Sequence, residues 1–243
     1  MRFWATFETP EPVHLPTDYN YAVQGVIYRS LSDEFRKFLH DKGFTARGRR
    51  FKLFTFSRLF GRFKREGKVL VFGGPVKLCI SSPIERFVRE LANSLLKNAN
   101  ITLMGNELSV SSIEFPNSPV IGSELSCRTL APITVYSTLF TADGHKKTYY
   151  YSPYEEEFSN SIAANLRKKA SLIAGEVVDG DVAVKPIGRP KEVACIFKDT
   201  VVRAWHGRFN LTGDKRLLEA GYEAGLGSKN SGGFGMIEVL QHA

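Results

Sequence analysis

The side chains best able to move a proton near neutral pH are five histidines, His14, His40, His145, His206 and His242. An imidazole ordinarily titrates at about 6.5, so it can act as acid or base. Position separates the five. His14 enters a proline-containing loop, His145 follows an Asp-Gly turn, His206 lies inside an alternating strand pattern, and His242 is next to the C-terminus. His40 closes a helical stretch whose apolar stripe is Leu31, Phe35, Phe38 and Leu39. At about 100° per residue it falls on the opposite, polar side. There it is either an acid–base group or a helix-end histidine that interacts favourably with the helix dipole.

A dense basic tract begins just after His40. Residues 42–68 hold Lys42, Arg47, Arg49, Arg50, Lys52, Arg58, Arg62, Lys64, Arg65 and Lys68 against a single acid, Glu66. Residues 1–115 carry 18 Lys and Arg against 11 Asp and Glu, whereas residues 116–243 carry 15 against 14, so this one tract accounts for the excess behind the net charge of +8. Clustered cations attract phosphates and release their counterions on contact. Phe51, Phe54, Phe56, Phe60 and Phe63 are interleaved with them, and aromatics among cations suit base stacking beside phosphate contacts. A solvated basic loop with its phenylalanines in the core is the plainer alternative.

The elements that must position these groups can be read from periodicity. Arg2–Glu8 alternates as a strand. Asp18 is placed to cap a helix from about Tyr19 to Ser30, and Ser32 to cap a second one. Lys52–Arg58, Val69–Phe72 and Val76–Ser81 read as strands. A helix opens at Pro83 and carries Phe87, Leu91 and Leu95 on one face. Ile101–Met104 and Glu107–Phe115 are strands joined at Gly105-Asn106. After the linker-like 116–123 the order starts again: a strand-like 125–137 broken by Pro132, Thr148–Tyr151, a helix from Pro153 to about Gly175, strands at Val182–Ile187, Glu192–Phe197 and Val201–Leu211, a helix capped by Asp214 and ending at Gly221, and a last strand at Gly235–Leu240. Two consecutive βαββαβ passes predict an α+β chain of two tandem ferredoxin-like (RRM-like) domains, over residues 1–117 and 122–243.

Composition excludes other classes. Apolar residues at 43% allow a core. No run approaches the ~20 apolar residues of a membrane span, and the N-terminus lacks the regions of a signal peptide, so a cytoplasmic chain without membrane contact is expected. Cys79, Cys127 and Cys195 lack CxxC spacing and read as free thiols. No His, Asp and Glu cluster has ligand spacing, so neither a two-metal nuclease nor any cofactor is expected.

Residues 225–235 read Gly-Leu-Gly-Ser-Lys-Asn-Ser-Gly-Gly-Phe-Gly. Asn230 stands where a dinucleotide fingerprint needs its third glycine, and Lys229 lacks the preceding glycine of a P-loop. A flexible connector remains as a plain alternative. The spacing Gly225-Leu-Gly227, five residues, Gly233-Phe-Gly235 resembles the C-terminal GhGxxxxxGhG motif of the repeat-associated RNA-processing proteins of CRISPR systems, and specifically of their sixth Cas family, the endoribonucleases that cut repeat RNA. Met1-Arg2-Phe3 and Gln24-Gly25-Val26-Ile27-Tyr28 resemble that family's first strand and helix, and Leu53-Phe54-Thr55-Phe56-Ser57 its Lys-Leu-Phe-Thr strand.

The resemblance implies a catalytic triad of Tyr28, His40 and Lys52: His40 as general acid or base, Tyr28 positioning or deprotonating the 2′-hydroxyl, Lys52 stabilising the phosphorane. Arg49 or Arg50 could replace Lys52, because the spacing from His40 departs from the family's. The implied reaction is metal-independent and leaves a 2′,3′-cyclic phosphate and a 5′-hydroxyl. Lys42, Arg47, Arg49, Arg50, Arg58, Arg62, Lys64, Arg65 and Lys229 are the candidate RNA contacts, and the loop of Gly225, Gly227, Gly233 and Gly235 would either approach RNA or brace the two halves. The implied partners are CRISPR repeat RNA and other subunits of an effector complex, with no DNA, and the chain would be a monomer or homodimer. The alternative is a non-catalytic RNA-binding subunit of such a complex. A general RNA-binding module of the RRM type is disfavoured, because no Lys/Arg-Gly-Phe/Tyr-Gly/Ala-Phe run is present.

Overall fold

The computed structural model of the chain describes residues 1–46, 48–140 and 143–240. Its first half contains β1 (Arg2–Glu8), β2 (Val13–Pro16), α1 (Asn20–Arg29), α2 (Asp33–Lys37), β3 (Phe44–Ala46), β4 (Arg49–Phe51), β5 (Thr55–Phe56), β6 (Phe63–Glu66), β7 (Val69–Phe72), β8 (Val76–Ser81), α3 (Glu85–Lys97), β9 (Asn100–Leu103) and β10 (Asn106–Glu114). The main sheet runs β5-β8-β1-β10-β9, all pairs antiparallel. Without edge strand β9 this is the ferredoxin-like order. Phe3, Ala5 and Phe7 alternate onto the helix-covered face of β1, where they join Ile27, Phe54, Phe87 and Leu91 in one buried cluster. The α3 stripe of Phe87, Leu91 and Leu95 is buried as its spacing predicts. A small sheet β2-β7-β6 and a hairpin β3-β4 lie outside this frame.

The second half contains β11 (Glu124–Thr129), β12 (Tyr136–Phe140), β13 (Lys146–Tyr150), α4 (Glu156–Ala174), β14 (Val182–Phe197), β15 (Thr200–Gly213), α5 (Lys215–Ala224) and β16 (Ile237–Val239). Its sheet runs β14-β15-β11-β16, which repeats the same order, over a core of Phe158, Leu166, Phe209, Leu217 and Leu218. β12 and β13 pair with each other as a separate ribbon. Among the described residues no helix is long and apolar enough to cross a membrane.

Several boundaries differ from the sequence reading, each for a physical reason. Asp18 does not cap α1: the N-cap position is Tyr19, with no side-chain hydrogen bond. Ser32 does occupy the N-cap position of α2, but its hydroxyl donates to Glu90 (2.8 Å) instead of capping. Lys52–Arg58 is not one strand, because Leu53 adopts φ +52° and interrupts the alternation, leaving only Thr55–Phe56 in the sheet. The two strands read at 182–187 and 192–197 are one, continued through an irregularity between Ile187 and Lys191. Asp214 caps α5 through the Arg216 N–H (2.8 Å), but Gly221 is internal to the helix, where a Cβ would strike the Leu226 side chain at 2.7 Å; the helix ends before Gly225.

The two sheets meet across the glycine-rich segment. On the second face of β1, Arg2 donates to the carbonyls of Ile237 (3.0 Å) and Tyr222 (2.7 Å) and lies 3.6 Å over the Tyr222 ring. Thr55 Oγ1 donates to Phe234 O (3.0 Å). Asn20 Nδ2 donates to Gly232 O (3.0 Å) and Gly233 O (3.1 Å). Gly233 sits at φ +79°, and a Cβ there would strike the Phe56 ring and lie 2.6 Å from Asn20 Nδ2, so glycine is what lets the halves approach. Behind the loop, Lys169 of α4 is 2% exposed, and its ammonium donates to Gly225 O (2.6 Å) and Asn230 Oδ1 (2.7 Å).

Burial pushes the Lys169 amine down from 10.5 to about 7. In the unfolded chain it binds its proton up to the ordinary lysine value, so between the two values the unfolded state holds more protons. Stability from this group is therefore present above about 10.5 and lost as pH falls through 7. Lys169→Met removes two hydrogen bonds and, with them, this slope. The urea-unfolding free energy of wild type minus that of Lys169→Met should rise from about pH 7 to about pH 9.5, approaching ~1.4 kcal/mol per pH unit. A constant gap would show that the amine is not depressed.

Candidate active site

Tyr28, His40 and Lys52 line one wall of a single cleft of ≈ 1510 Å³; Lys198 at the tip of the β14–β15 ribbon and Lys229 of the glycine-rich loop line the other. Tyr28 occupies the last turn of α1. Its ring meets Phe54 edge-on (6.0 Å), and Phe54 in turn stacks on Phe87 (4.7 Å), so the phenol stands on the core of the first sheet. Burial alone pushes its pKa up to about 12. It is therefore a neutral phenol at physiological pH, able to donate a proton and unsuited to remove one.

His40 stands in a π-helical turn, Phe38–Lys42, that follows α2. The Gly43 N–H reaches back five residues to Phe38 O (2.7 Å), which widens the turn and brings the imidazole out; its side chain is 80% exposed. Nδ1 lies 2.8 Å from Asp41 Oδ1. That hydrogen bond holds the Asp41 carboxyl below the usual carboxylate range, so it is ionised and can only accept. The proton between them accordingly belongs to Nδ1, and Nε2 of the neutral ring is left as the acceptor.

Lys52 follows β4, and its ammonium donates to His40 O (3.0 Å). Partial burial and then the Arg50 charge lower its pKa. Leu53, the next residue, holds the left-handed conformation with its carbonyl bonded to Ser82 Oγ (2.7 Å). Its side chain is buried in a small cluster with Phe51 and Ala224 of α5. That local strain turns Lys52 into the cleft while Phe54 enters the core.

The two halves each match a sequence model of one family: residues 14–114 the N-terminal part of CRISPR-associated protein Cas6, and residues 113–239 its C-terminal part. The chain belongs to the Cas6 family. It is 30% identical, over 98% of its length and 92% of theirs, to CRISPR-associated endoribonuclease Cas6 1 of Methanocaldococcus jannaschii. It is 30% identical to the CRISPR-associated endoribonuclease Cas6 of Pyrococcus furiosus, over 93% of this chain and 83% of that one. A solved structure titled CRISPR associated protein Cas6 superposes with a TM-score of 0.82 at 27% identity, covering 99% of both chains.

Within this Cas6 fold the basic tract divides. Lys42 is exposed in the turn that carries His40, Arg49 is exposed on the β3–β4 hairpin, and Arg50 donates to Asp41 O (2.8 Å). Lys42 and Arg50 border a second concavity of ≈ 600 Å³ that shares Asp41 with the cleft. Arg62, Lys64 and Arg65 are exposed on and beside β6, in the separate small sheet; its turn lies next to α1, where Thr17 N bonds Lys68 O (2.9 Å). Arg58 is used internally, donating to Asn20 Oδ1 and to Cys195 Sγ (2.8 Å) across the two halves. Arg47 and His242 lie outside the described residues. Lys229 takes φ +56° and sits half-buried 5.4 Å from the Tyr136 ring, its amine lowered by burial and then by Lys198. Gly225, Gly227, Gly233 and Gly235 are all buried. Of the two roles left open for them, the geometry is that of a brace.

Of the other histidines, His206 is held neutral, its pKa pushed down to about 4 by burial and then by Arg58 and Lys191. Among the described residues no three His, Cys, Asp or Glu side chains converge in a way that could hold a metal. The sequence reading passed over Asp41, although its adjacency to His40 was visible, and over Phe197 and Lys198, which reach the cleft only because β14 and β15 form one long ribbon.

Gly43 ties the histidine turn to the lysine. At φ +62° a Cβ would lie 2.7 Å from Phe51 O and 3.6 Å from Lys52 Nζ. Gly67, at φ +61°, has nothing within 4 Å. Gly43→Ala should cost about 2–4 kcal/mol in urea unfolding, against about 1 kcal/mol for Gly67→Ala. Equal losses would mean that the turn is free to move away from β4.

Proposed function

We propose that this chain is a metal-independent endoribonuclease that binds the repeat of precursor CRISPR RNA and cuts it to guide RNAs. The observation that carries the reading is the convergence of a phenol, an imidazole and a lysine amine, Tyr28, His40 and Lys52, in one open cleft. The curated relatives named as Cas6 endoribonucleases support the substrate class.

His40 Nε2 takes the proton of a 2′-hydroxyl. The 2′-oxygen bonds to the adjacent phosphorus and the P–O5′ bond breaks, giving a 2′,3′-cyclic phosphate on one product. The departing 5′-oxygen takes a proton from Tyr28, whose phenolate is a far weaker base than an alkoxide, and leaves as a 5′-hydroxyl. The Tyr28 proton is restored from His40 or solvent. Lys52 stands beside His40 to offset the charge on the phosphorane. Lys42 and Arg50 in the concavity next to the His40 turn, Arg49 on the hairpin, and Lys229 and Lys198 across the cleft hold the backbone phosphates, so affinity falls steeply with salt.

Wild type incubated with repeat RNA in excess EDTA should make one cut per repeat. His40→Ala should bind as tightly and cut about 10²–10⁴-fold more slowly. Tight binding with no cut by either protein would sink the catalytic reading and leave a non-catalytic RNA-binding subunit of an effector complex.

A further inference from the structure

We propose that Tyr21 is a stacking platform for one unpaired nucleobase within about three nucleotides of the cut, with Lys198 and Arg29 holding the phosphates beside it. The proposal rests on the nuclease reading for the position of the cut, and on the cleft's own geometry for the platform.

Tyr21 and Tyr28 are seven residues apart on α1, so they share a face two turns apart, about 10 Å along the axis. At a stacked rise of ~3.4 Å per nucleotide that distance is about three nucleotides, and fewer if the strand is extended. Both residues line the cleft, and Tyr21 is 54% exposed there. Between them stands Gly25, a glycine inside a helix, where alanine is ordinarily favoured. A Cβ at Gly25 would meet only the Arg29 guanidinium, 3.1 Å away. At Gly25 the helix face between the two tyrosines is open backbone with the Arg29 guanidinium lying along it, flanked by Gln24, whose amide is turned to Ser231 O (2.6 Å), and a sugar-phosphate chain can run along it.

The opposite wall is fixed against this track. The Phe197 ring packs edge-on to Tyr21 (6.0 Å, 88°) and to Phe234 (6.1 Å, 86°). Gly232 makes room for it, since a Cβ there would lie 2.7 Å from Phe197 Cζ. Phe197 therefore pins the ribbon tip and steadies one edge of the tyrosine. The ribbon turns through Lys198 and Asp199, both at positive φ (+50° and +58°), a two-residue turn that glycine would fill without strain. A lysine stands there instead, with Nζ 5.2 Å from the Tyr21 ring centre. A ring that is 54% exposed, supported at one edge by Phe197 and carrying an ammonium over it, has the parts of a base-and-phosphate site, and every base offers a π-face to it. Paired bases cannot reach it, so the RNA must be single-stranded at this point.

The test uses repeat RNA carrying a 2′-deoxy sugar at the cut nucleotide, so that binding is read without cleavage. 2-Aminopurine is placed at each repeat position in turn, and the cut is mapped separately on unmodified RNA. One position within three nucleotides of the cut should be quenched on binding wild type and Tyr21→Phe, and should stay bright with Tyr21→Leu. An abasic nucleotide at that position should weaken wild type about tenfold and leave Tyr21→Leu unchanged. Equal fluorescence with wild type and Tyr21→Leu at every position, an abasic penalty shared by both, or a Tyr21-dependent position farther from the cut would overturn the proposal. Tyr21-dependent quenching in a wild type that cuts no RNA would remove the nuclease reading and leave the stacking platform standing.

Discussion

Asn20 reaches across from the first residue of α1 to the carbonyls of Gly232 and Gly233, and the cleft takes its shape from that contact. α1 carries Tyr21 and Tyr28, and the glycine-rich loop carries Lys229, so this contact ties the two walls together. Gln24 repeats the contact one turn on, donating to Ser231 O (2.6 Å). Arg58 closes the triangle by bonding Asn20 from behind and Cys195 of the ribbon. A motif of glycines that could be read as an anion cradle is here spent on close packing. The carbonyls of Gly225, Leu226, Gly232, Gly233 and Phe234 are all met by protein side chains, as buried backbone requires.

The loop needs a cation behind it for the same reason. Gly225 O and Asn230 Oδ1 point into the interior, where an unmet acceptor is costly. Lys169 meets both, and Asn230 uses its amide on Leu226 O (2.9 Å) and Phe234 O (3.1 Å), stitching the two ends of the loop together. A buried ammonium without a carboxylate is an expensive tie. Its depressed pKa measures part of that expense, and what it secures is the loop that joins the halves.

What the sequence made legible was what repeats. The α3 stripe, the β1 alternation and the glycine spacing are periodic, and each led to the element found. Tyr28, His40 and Lys52 were placed in one site only through resemblance to a family; no periodicity links residues on a helix, a turn and a strand end. The misreadings fall where one residue breaks local rules. Leu53 looks like a strand residue and adopts φ +52°, because tertiary packing against Phe51 and Ala224 outweighs its own preference. The π turn at His40 has no compositional sign. The basic tract read as one surface, yet its members lie on a hairpin, a separate sheet and, for Arg58, in a half-buried tie between the halves, since charge along a chain says nothing about how the chain then folds.

The site is pre-arranged but not dry. His40 is 80% exposed, and Asp41 beside it is about half exposed. Their hydrogen bond orients the ring more than it strengthens it, since water screens the pair. Charge stabilisation in water is weak, and an oxyanion site reaches full value only when solvent is excluded. On the proposed nuclease reading the cleft supplies two walls for this purpose, and the third is substrate. A strand lying from Tyr21 to Tyr28 would cover the triad from the open side, replacing water around His40 with sugar and base. Recognition of the RNA and completion of the catalytic environment would then be one event. Contacts two turns away on α1 would in that case affect the rate of the chemical step as well as binding, because the strand they hold is what closes the site.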